Sequence, residues 1–204
     1  MKALQNRDRE GAARDGAARE GAVRDSAPAA YLITWVCYGA WLPGQAGAIS
    51  RTQNRFGTPI PEPDIRKERR AKAHMTQEPY LLDEIRRQRV LQSLIEVCSC
   101  RGYSLLAAHV RTNHIHVVIA AACKPERVMN AMKAYGSRAL NQHGLERPGR
   151  RRWARHGSTR YLWTEDDVRG AIEYVVRRQG EPMAVFETFP SLTLRVPTAM
   201  EPRP

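Results

Sequence analysis

The sequence has no apolar run long enough to span a bilayer, and no apolar signal core lies near residue 1. Cysteines are also few. The four at positions 37, 98, 100 and 123 form no CxxC pair. Cys98 and Cys100 fall in a predicted helix, where residues two apart do not face each other. These absences argue against a membrane protein, a disulfide scaffold and a cysteine-bound zinc site. We therefore expect reduced thiols in a cytoplasmic protein.

Acidic residues are scarce relative to basic ones. The 204 residues include 33 Lys and Arg against 21 Asp and Glu, which gives a net charge of +12 at pH 7. A balance of this kind favours a polyanionic partner, either nucleic acid or an anionic membrane surface. Because no segment suits a membrane, nucleic acid is the better interpretation.

The beginning of the chain differs in composition from the rest. Residues 10–24 consist of three copies of an acidic-Gly-Ala-x-Arg unit, and a five-residue period matches neither a helix nor a strand. Few apolar side chains are available there to offset the entropy of ordering. The sequence therefore predicts a disordered extension at 1–29, a folded domain at 30–190 and a short tail at 191–204.

The folded part shows the periodicities of an α+β protein. Residues 45–80 carry several Pro and Gly with little periodicity, so we expect a long loop there. The order of the other elements matches the ferredoxin-like split βαβ pattern, an antiparallel sheet with helices packed on one face and the other face open. The predicted elements are the strand Tyr31–Cys37, a helix capped by Asp83 and ending near Arg101, the strand Tyr103–His109, the strand Ile115–Ala120, a helix from Pro125 to about Gln142 and a helix capped by Thr164. The runs Ala184–Phe186 and Leu192–Val196 are each either a short strand or a packed tail.

Two histidines, His114 and His116, lie two positions apart in the predicted strand Ile115–Ala120 and its approach. Alternate residues of a strand project from one face, so both rings share a face while Ile115 and Val117 point to the other. Two neutral imidazoles side by side form half of a metal site. The alternative is that one is a hydrogen-bonded core histidine and the other lies near a strand end.

Tyr135 lies on the helix that follows the histidine strand. A spacing of 4-3-4 with Val128, Met132 and Ala139 is typical of a core position. The functional interpretation is that the phenol attacks a phosphodiester and forms a covalent phosphotyrosine. A phenol is a poor nucleophile at neutral pH unless its deprotonation is assisted, and a cation held by the histidines would stabilise the charge that develops on the phosphate.

These residues resemble a known family. The segment Asn113-His-Ile-His116, with Lys133-Ala-Tyr135-Gly-Ser-Arg138-Ala-Leu-Asn141 downstream, resembles the single-tyrosine HUH transposases. The Tyr31–Trp41 strand and turn and the 156–163 segment look most like the transposases associated with repetitive extragenic palindromic sequences. The resemblance covers about residues 30–186. It implies an endonuclease and strand-transfer enzyme that nicks single-stranded or hairpin DNA, leaving a 5′-phosphotyrosine on Tyr135 and a free 3′-hydroxyl.

The resemblance also implies a divalent metal, Mg²⁺ or Mn²⁺, bound by His114 and His116. Ligand chemistry alone leaves the metal open, since imidazole also suits zinc and nickel. Relatives complete the site with a polar residue one turn after the tyrosine, and this chain departs from that pattern because Ala139 stands there. Gln142 shares the face of Tyr135 and is our predicted third ligand, with an acid from elsewhere or water as alternatives.

The segment from Arg147 to Arg160 contains six arginines and no acid. It is either a solvated surface or a DNA-contacting loop. In the second interpretation the arginines neutralise phosphates and Trp153 stacks on an unpaired base. Lys133 and Arg138 flank Tyr135 and would hold the scissile phosphate. The predicted DNA-binding residues are Lys133, Arg138, Arg151, Arg152, Trp153 and Arg155.

The sequence thus predicts a metal-dependent, tyrosine-nucleophile transposase that acts on single-stranded or hairpin DNA, in the cytoplasm and at the nucleoid of a bacterial cell. A non-catalytic hairpin DNA-binding protein on the same scaffold is the alternative, and an RNA-binding domain ranks below both. The pattern leaves open whether the protein is a monomer or a homodimer.

Overall fold

The computed structural model describes residues 27–46 and 62–188. The repeat extension, the Leu192–Val196 run and the carboxy-terminal tail lie outside the described residues, so the predictions made for them stay predictions. The elements, in chain order, are β1 (Ala30–Cys37), α1 (Ile65–Ala73), α2 (Glu84–Arg101), β2 (Ser104–Val110), β3 (His114–Ala120), α3 (Pro125–Gln142), β4 (Trp153–Leu162), α4 (Glu165–Arg177) and β5 (Ala184–Glu187).

Local sequence signals set the ends of the long helices. The Asp83 carboxylate accepts the Arg86 amide at the start of α2, and Gly102 ends the helix in the left-handed region at φ 65°. Helix α4 begins with a capping box between Thr164 and Asp167. The predicted elements of the described region are therefore confirmed in type and nearly in bounds.

Helix α1 and strand β4 are the two described elements that the sequence does not predict. Asp64 caps α1 by accepting the amides of Arg66 and Lys67. No residue of α1 is buried. Its sequence therefore has no apolar stripe, and the helical periodicity by which a helix is predicted is missing. The expected loop at 45–80 thus contains a capped helix.

The five strands form one sheet in the order β4-β1-β3-β2-β5, with all neighbouring pairs antiparallel. Strand β3 lies between β1 and β2, which are joined through α2, so the first four strands follow the split βαβ pattern. The ferredoxin-like α+β fold is confirmed. None of the helices in the described residues is long and apolar enough to cross a membrane.

The helices do not all pack on one face of the sheet, as the sequence analysis expected. Helices α2 and α3 cover the face formed by Ile33, Trp35, Ile115 and Val117, which we call the helix-pair face. Helix α4 covers the opposite face, which we call the α4 face. It packs there through Val168, Ala171 and Val175 against Leu32, Leu106, Val118 and Leu162.

The topology explains this difference. Strand β4 lies at one edge of the sheet and β5 at the other, so the segment that joins them must cross the whole sheet. The helix-pair face is already occupied by α2 and α3. The connection therefore runs over the other face, where the apolar side of α4 becomes buried.

Gly157 tests how tightly β4 is held to β1. A Cβ at this position would lie 2.5 Å from the Met129 sulfur and 2.5 Å from the Thr34 carbonyl oxygen. The Thr34 backbone cannot yield without moving β1, so we expect Gly157→Ala to lower the free energy of unfolding by about 1–3 kcal/mol, as overpacking does. The measurement is urea denaturation followed by circular dichroism.

Gly170 provides the matched control. It lies inside α4, and a Cβ there meets nothing within 4 Å. Gly170→Ala should raise stability by about 0.5–1 kcal/mol because Ala favours the helix. Equal denaturation midpoints for the two variants would contradict the close packing at Gly157.

Candidate active site

A row of three polar side chains crosses the α4 face on neighbouring strands. His116 on β3 lies directly opposite Thr34 on β1 and His109 on β2. The His116 Nδ1 is hydrogen-bonded to the Thr34 hydroxyl at 2.7 Å. Both histidine rings are buried, with exposed fractions of 5% for His116 and 0% for His109. The register of the sheet therefore holds His116 rigidly in place.

His114 stands beside His116 on the same strand face, as the alternation predicted. The two ring centroids are 4.8 Å apart, edge to face. The Asn113 side-chain oxygen lies 2.7 Å from the His114 Nδ1, and the Trp41 ring lies 5.1 Å from the His114 ring. The prediction that His114 and His116 share one face of β3 is confirmed.

The contacts of the two rings set their protonation. The Asn113 oxygen accepts from the His114 Nδ1, which leaves the lone pair of that ring on Nε2, the form that binds a metal. The Thr34 hydroxyl can either donate to the His116 Nδ1 or accept from it. Burial, followed by the charges of His114, His109 and Arg111, lowers the pKa of His116 well below its ordinary value of 6.5. His116 is therefore neutral at pH 7 and suited to be a ligand.

Helix α4 brings a tyrosine to this pair. The Tyr174 ring centroid is 5.7 Å from that of His116, edge to face. Gln179, just beyond α4, hydrogen-bonds through its side chain to the His116 ring, and its Nε2 donates to the Tyr174 carbonyl at 3.3 Å. Two imidazoles, one phenol and one amide thus meet on the α4 face.

Tyr135 does not join the histidines, and this corrects the sequence prediction. Its ring is packed against the core of the helix-pair face, with the Arg138 guanidinium 5.0 Å from its centroid. The sheet lies between this ring and the imidazoles, because Ile115 and Val117 occupy the helix-pair face while His114 and His116 occupy the other. The core interpretation of the 4-3-4 spacing is the one the structure shows.

Gln142, the predicted third metal ligand, is also on the wrong side. It is exposed at the carboxyl end of α3, and α3 packs on the helix-pair face. No side chain of that helix can reach the histidines through the sheet. On the α4 face, the glutamine beside His116 is Gln179.

The sequence carries a helical signal for Tyr174. Tyr174 lies three residues after Ala171 and next to Val175, so a helical reading places it at the border of the buried stripe. Tyr174 lies near His116 only because α4 packs on the face of the sheet that carries the histidines. This placement of α4 follows from the strand order, in which β4 and β5 lie at opposite edges of the sheet.

Three of the predicted DNA-binding residues are built into the fold. The Lys133 ammonium donates to the carbonyls of Ala154 at 3.0 Å and His156 at 3.2 Å, and burial lowers the pKa of Lys133 to about 8. The Trp153 indole donates to the Lys133 carbonyl and the Ser137 hydroxyl, both at 2.9 Å.

Arg152 is the third of these residues. Its guanidinium bonds to the Asn141 side chain and to two backbone carbonyls, and only 6% of the residue is exposed. Lys133, Arg152 and Trp153 therefore connect α3 to the start of β4 through these hydrogen bonds, and their contact with DNA stays a prediction. Part of the predicted arginine loop is accordingly strand β4.

The other three predicted DNA-binding residues, Arg138, Arg151 and Arg155, are exposed. The Arg151 guanidinium lies 5.8 Å from the centre of the Tyr38 ring, close to the turn that follows β1. These side chains stay predicted DNA contacts.

His109 fastens α4 to the sheet near Tyr174. Its Nδ1 donates to the Val175 carbonyl at 2.9 Å, and its Nε2 accepts the Met183 amide at 3.2 Å. Burial lowers the pKa of His109 below its ordinary 6.5. A neutral His109 ring, which donates at Nδ1 and accepts at Nε2, satisfies both the Val175 carbonyl and the Met183 amide.

This arrangement predicts that the protein loses stability in acid. In the unfolded chain His109 takes up a proton near pH 6.5, whereas in the folded chain it does so only at lower pH. Its contribution is therefore fully present above pH 6.5 and is lost as the pH falls below that value. His116 acts in the same direction. We expect the free energy of unfolding, measured by urea denaturation, to fall between pH 7 and pH 5.

Variants separate the source of this pH dependence. His109→Gln should give a flatter dependence, while His143→Gln, at an exposed site after α3, should leave it unchanged. An identical slope in the His109 variant and the unaltered protein would show that the buried ring is not responsible.

Comparisons with known proteins find a similar family and a similar solved structure. Residues 74–166 match the model of a family described as "Transposase IS200 like". A solved structure described as "Structure of the REP associates tyrosine transposase bound to a REP hairpin" is similar at 12% identity and a TM-score of 0.40, covering 75% of this chain and 68% of that chain. No curated protein matches the chain.

The matched residues run from the end of α1 to the start of α4 and include both His114 and His116, whereas Tyr174 lies beyond them. The role of Tyr174 is therefore a matter of geometry alone. Residues 74–166, somewhat less than half of the chain, are therefore similar to the IS200-like transposases.

Proposed function

We propose that this transposase cuts and rejoins single-stranded DNA, beside a hairpin, with Tyr174 as its nucleophile. The observation that carries the proposal is the position of the Tyr174 ring, 5.7 Å from the His116 ring on the α4 face. The Tyr174 phenol gives up its proton as its oxygen attacks the phosphorus, the bond from phosphorus to the 3′-oxygen breaks, and that oxygen takes up a proton from the solvent. The products are a 5′-phosphotyrosine and a free 3′-hydroxyl, and attack by a 3′-hydroxyl on the phosphotyrosine reverses the step.

The residues present fit a divalent cation. His114 and His116 are side by side, and an oxygen contacts the Nδ1 of each ring. Within residues 27–46 and 62–188, no group of three or more His, Cys, Asp and Glu could hold a metal, so the Gln179 amide oxygen is our proposed third ligand. A cation bound there would stabilise negative charge on the phosphate. Imidazole and amide donors suit Mn²⁺ better than Mg²⁺, which prefers oxygen ligands alone.

The rest of the site orients and shields the reactants. Thr34 and Asn113 fix the two rings, and His109 holds the last turn of α4 against β2. Because His116 is buried, water reaches this side of the site poorly, and electrostatic effects there are stronger than in solvent. DNA is the partner that the net charge of +12 favours.

A covalent adduct tests the proposal directly. The protein is incubated with Mn²⁺ and a labelled pool of single strands that carry a hairpin with randomised flanks, and denaturing gels detect protein bound to DNA. Tryptic digestion then locates the link, since Tyr174 falls in the peptide 170–177 and Tyr135 in the peptide 134–138. A DNA remnant on the 170–177 peptide is the expected result; a remnant elsewhere would refute Tyr174.

A further inference from the structure

A cavity of about 320 Å³ opens next to the histidine pair. Trp41 and Leu42, in the turn after β1, line the cavity together with Leu81. Asn113, which contacts the His114 ring, also lines the cavity. Its size is at the lower end of the range for small-molecule sites. Asn113 therefore borders both the cavity and the candidate metal site.

Trp41 joins the cavity to the site. Its ring lies 5.1 Å from the His114 ring at an interplanar angle of 33°, and the same side chain lines the cavity. Its backbone has φ of 51°, the left-handed region that a bulky side chain rarely adopts. Such a conformation persists only where the surroundings impose it, and it is concentrated at functional sites.

The turn that carries Trp41 is tied down by several contacts. The Leu42 amide donates to the Gln45 side chain at 2.9 Å, and that side chain donates to Glu68 at 3.2 Å. The Asp64 amide donates to the Gly44 carbonyl at 2.9 Å. The Gln45–Glu68 and Asp64–Gly44 hydrogen bonds connect the turn to α1 and its N-cap. Helix α1 therefore fixes the position of the turn that lines the cavity.

Helix α1 also places positive charge at the rim. Lys72 lines the cavity, and α1 has five basic residues against one acid, Glu68. A helix that buries none of its residues contributes little to the core, and its basic side chains form a surface suited to phosphates. The basic residues of α1 are Arg66, Lys67, Arg69, Arg70 and Lys72.

We propose that this cavity binds one unpaired nucleobase of the DNA strand, next to the phosphate that faces the histidines. The base stacks on Trp41 between Leu42 and Leu81, while α1 binds the phosphates that lead away from it. An apolar, aromatic slot with a cationic rim has the chemistry of single-strand recognition, in which each base offers a π face and each linkage a negative charge. This inference rests on the proposed function, since it assumes a DNA strand at the histidines.

Binding without chemistry tests the inference. Fluorescence anisotropy in EDTA, at one salt concentration, gives the affinities of labelled (dT)8 and of a labelled eight-unit abasic deoxyribose-phosphate strand. Trp41→Ala should weaken (dT)8 binding about 5–150-fold, because stacking one base contributes about 1–3 kcal/mol, and should leave abasic binding unchanged. Trp41→Phe should retain most of the affinity.

Two further variants guard against an indirect effect. Trp41→Gly removes the ring but accepts a φ of 51° without strain, so it should keep the turn and show the same selective loss. Trp163→Ala removes another indole, which stacks on Tyr161 at a ring distance of 6.0 Å, and should leave both affinities unchanged. An equal loss on the abasic strand, or an equal loss in the Trp163 variant, would overturn the base-binding cavity.

The outcome is independent of catalysis. If Trp41 variants lose base binding and no Tyr174 adduct ever forms, the cavity stands and the proposed reaction falls. If the adduct forms and the Trp41 variants bind (dT)8 like the unaltered protein, the reaction stands and the cavity falls.

Discussion

Tyr174→Phe is expected to abolish the covalent protein–DNA adduct, with a loss of at least about 10³-fold in its rate of formation. The change removes one oxygen, which is the attacking atom in the proposed step, and losses of this size follow when a covalent nucleophile is removed. The Phe ring can keep the edge-to-face contact with His116, whose centroid lies 5.7 Å away. Folding and DNA binding should therefore be preserved. The rate is measured on denaturing gels with labelled hairpin DNA and Mn²⁺.

Tyr135→Phe is the matched control. It makes the same chemical change on the other side of the sheet, where the ring packs on the core of the helix-pair face. Its adduct rate should stay within a few-fold of that of the unaltered protein. The opposite pattern, with the adduct lost in the Tyr135 variant and kept in the Tyr174 variant, would require α3 to leave the sheet.

A third pattern would favour the alternative function. If the unaltered protein binds hairpin DNA tightly, forms no adduct with any metal, and is indifferent to both tyrosine changes, then a non-catalytic DNA-binding protein accounts for the family match and the charge. Salt-sensitive binding alone is common to both functions and does not distinguish them.

The fold could be predicted from the sequence because most of its elements carry local signals. Strand β1 is β-branched and aromatic, Asp83 and Gly102 bound α2, and Thr164 starts α4. Helix α1 could not be predicted in this way, because a helix that buries nothing has no apolar period. The side of the sheet on which α4 lies depends on the strand order, which is a property of the whole sheet.

The candidate site was predicted to the extent that it lies on one strand. The two-residue period of β3 places His114 and His116 together whatever surrounds them. The tyrosine comes from a different element, so choosing between Tyr135 and Tyr174 required knowing which helix covers the histidine face. Helix α3 is the nearer of the two helices in the sequence, but it packs on the other side of the sheet from the histidines.

The basic segment shows a similar limit. A run of arginines predicts positive charge, and it does not predict which side chains are used inside the fold. Both Arg152 and Lys133 are buried. Arg152 donates to backbone carbonyls of the segment that links α3 to β4, and Lys133 donates to carbonyls in the first residues of β4. Composition could not separate them from Arg151 and Arg155, which are exposed.

His116→Ala is expected to weaken Mn²⁺ binding more than any other single change, by over about 100-fold. The ring supplies one of two imidazole ligands in the proposed site. Its neighbours cannot replace it because Thr34 offers a hydroxyl and because both ring nitrogens of His109 are already hydrogen-bonded. Thr34→Val keeps the shape but removes the hydroxyl bonded to the His116 Nδ1 at 2.7 Å. Loss of such a supporting contact typically lowers metal affinity about 10–100-fold. Free Mn²⁺ is measured by electron paramagnetic resonance, independently of any cleavage.

Two glutamine variants identify the third ligand in the same titration. Gln179→Ala should weaken Mn²⁺ binding, because its side chain hydrogen-bonds to the His116 ring. Gln142→Ala should have no effect, since that side chain is exposed at the end of α3 on the helix-pair side. If Gln142→Ala weakened binding and Gln179→Ala did not, the metal would have to lie on the opposite side of the sheet from His116. If His116→Ala bound Mn²⁺ as tightly as the unaltered protein, the two imidazoles would be neighbours in the fold without forming a metal site.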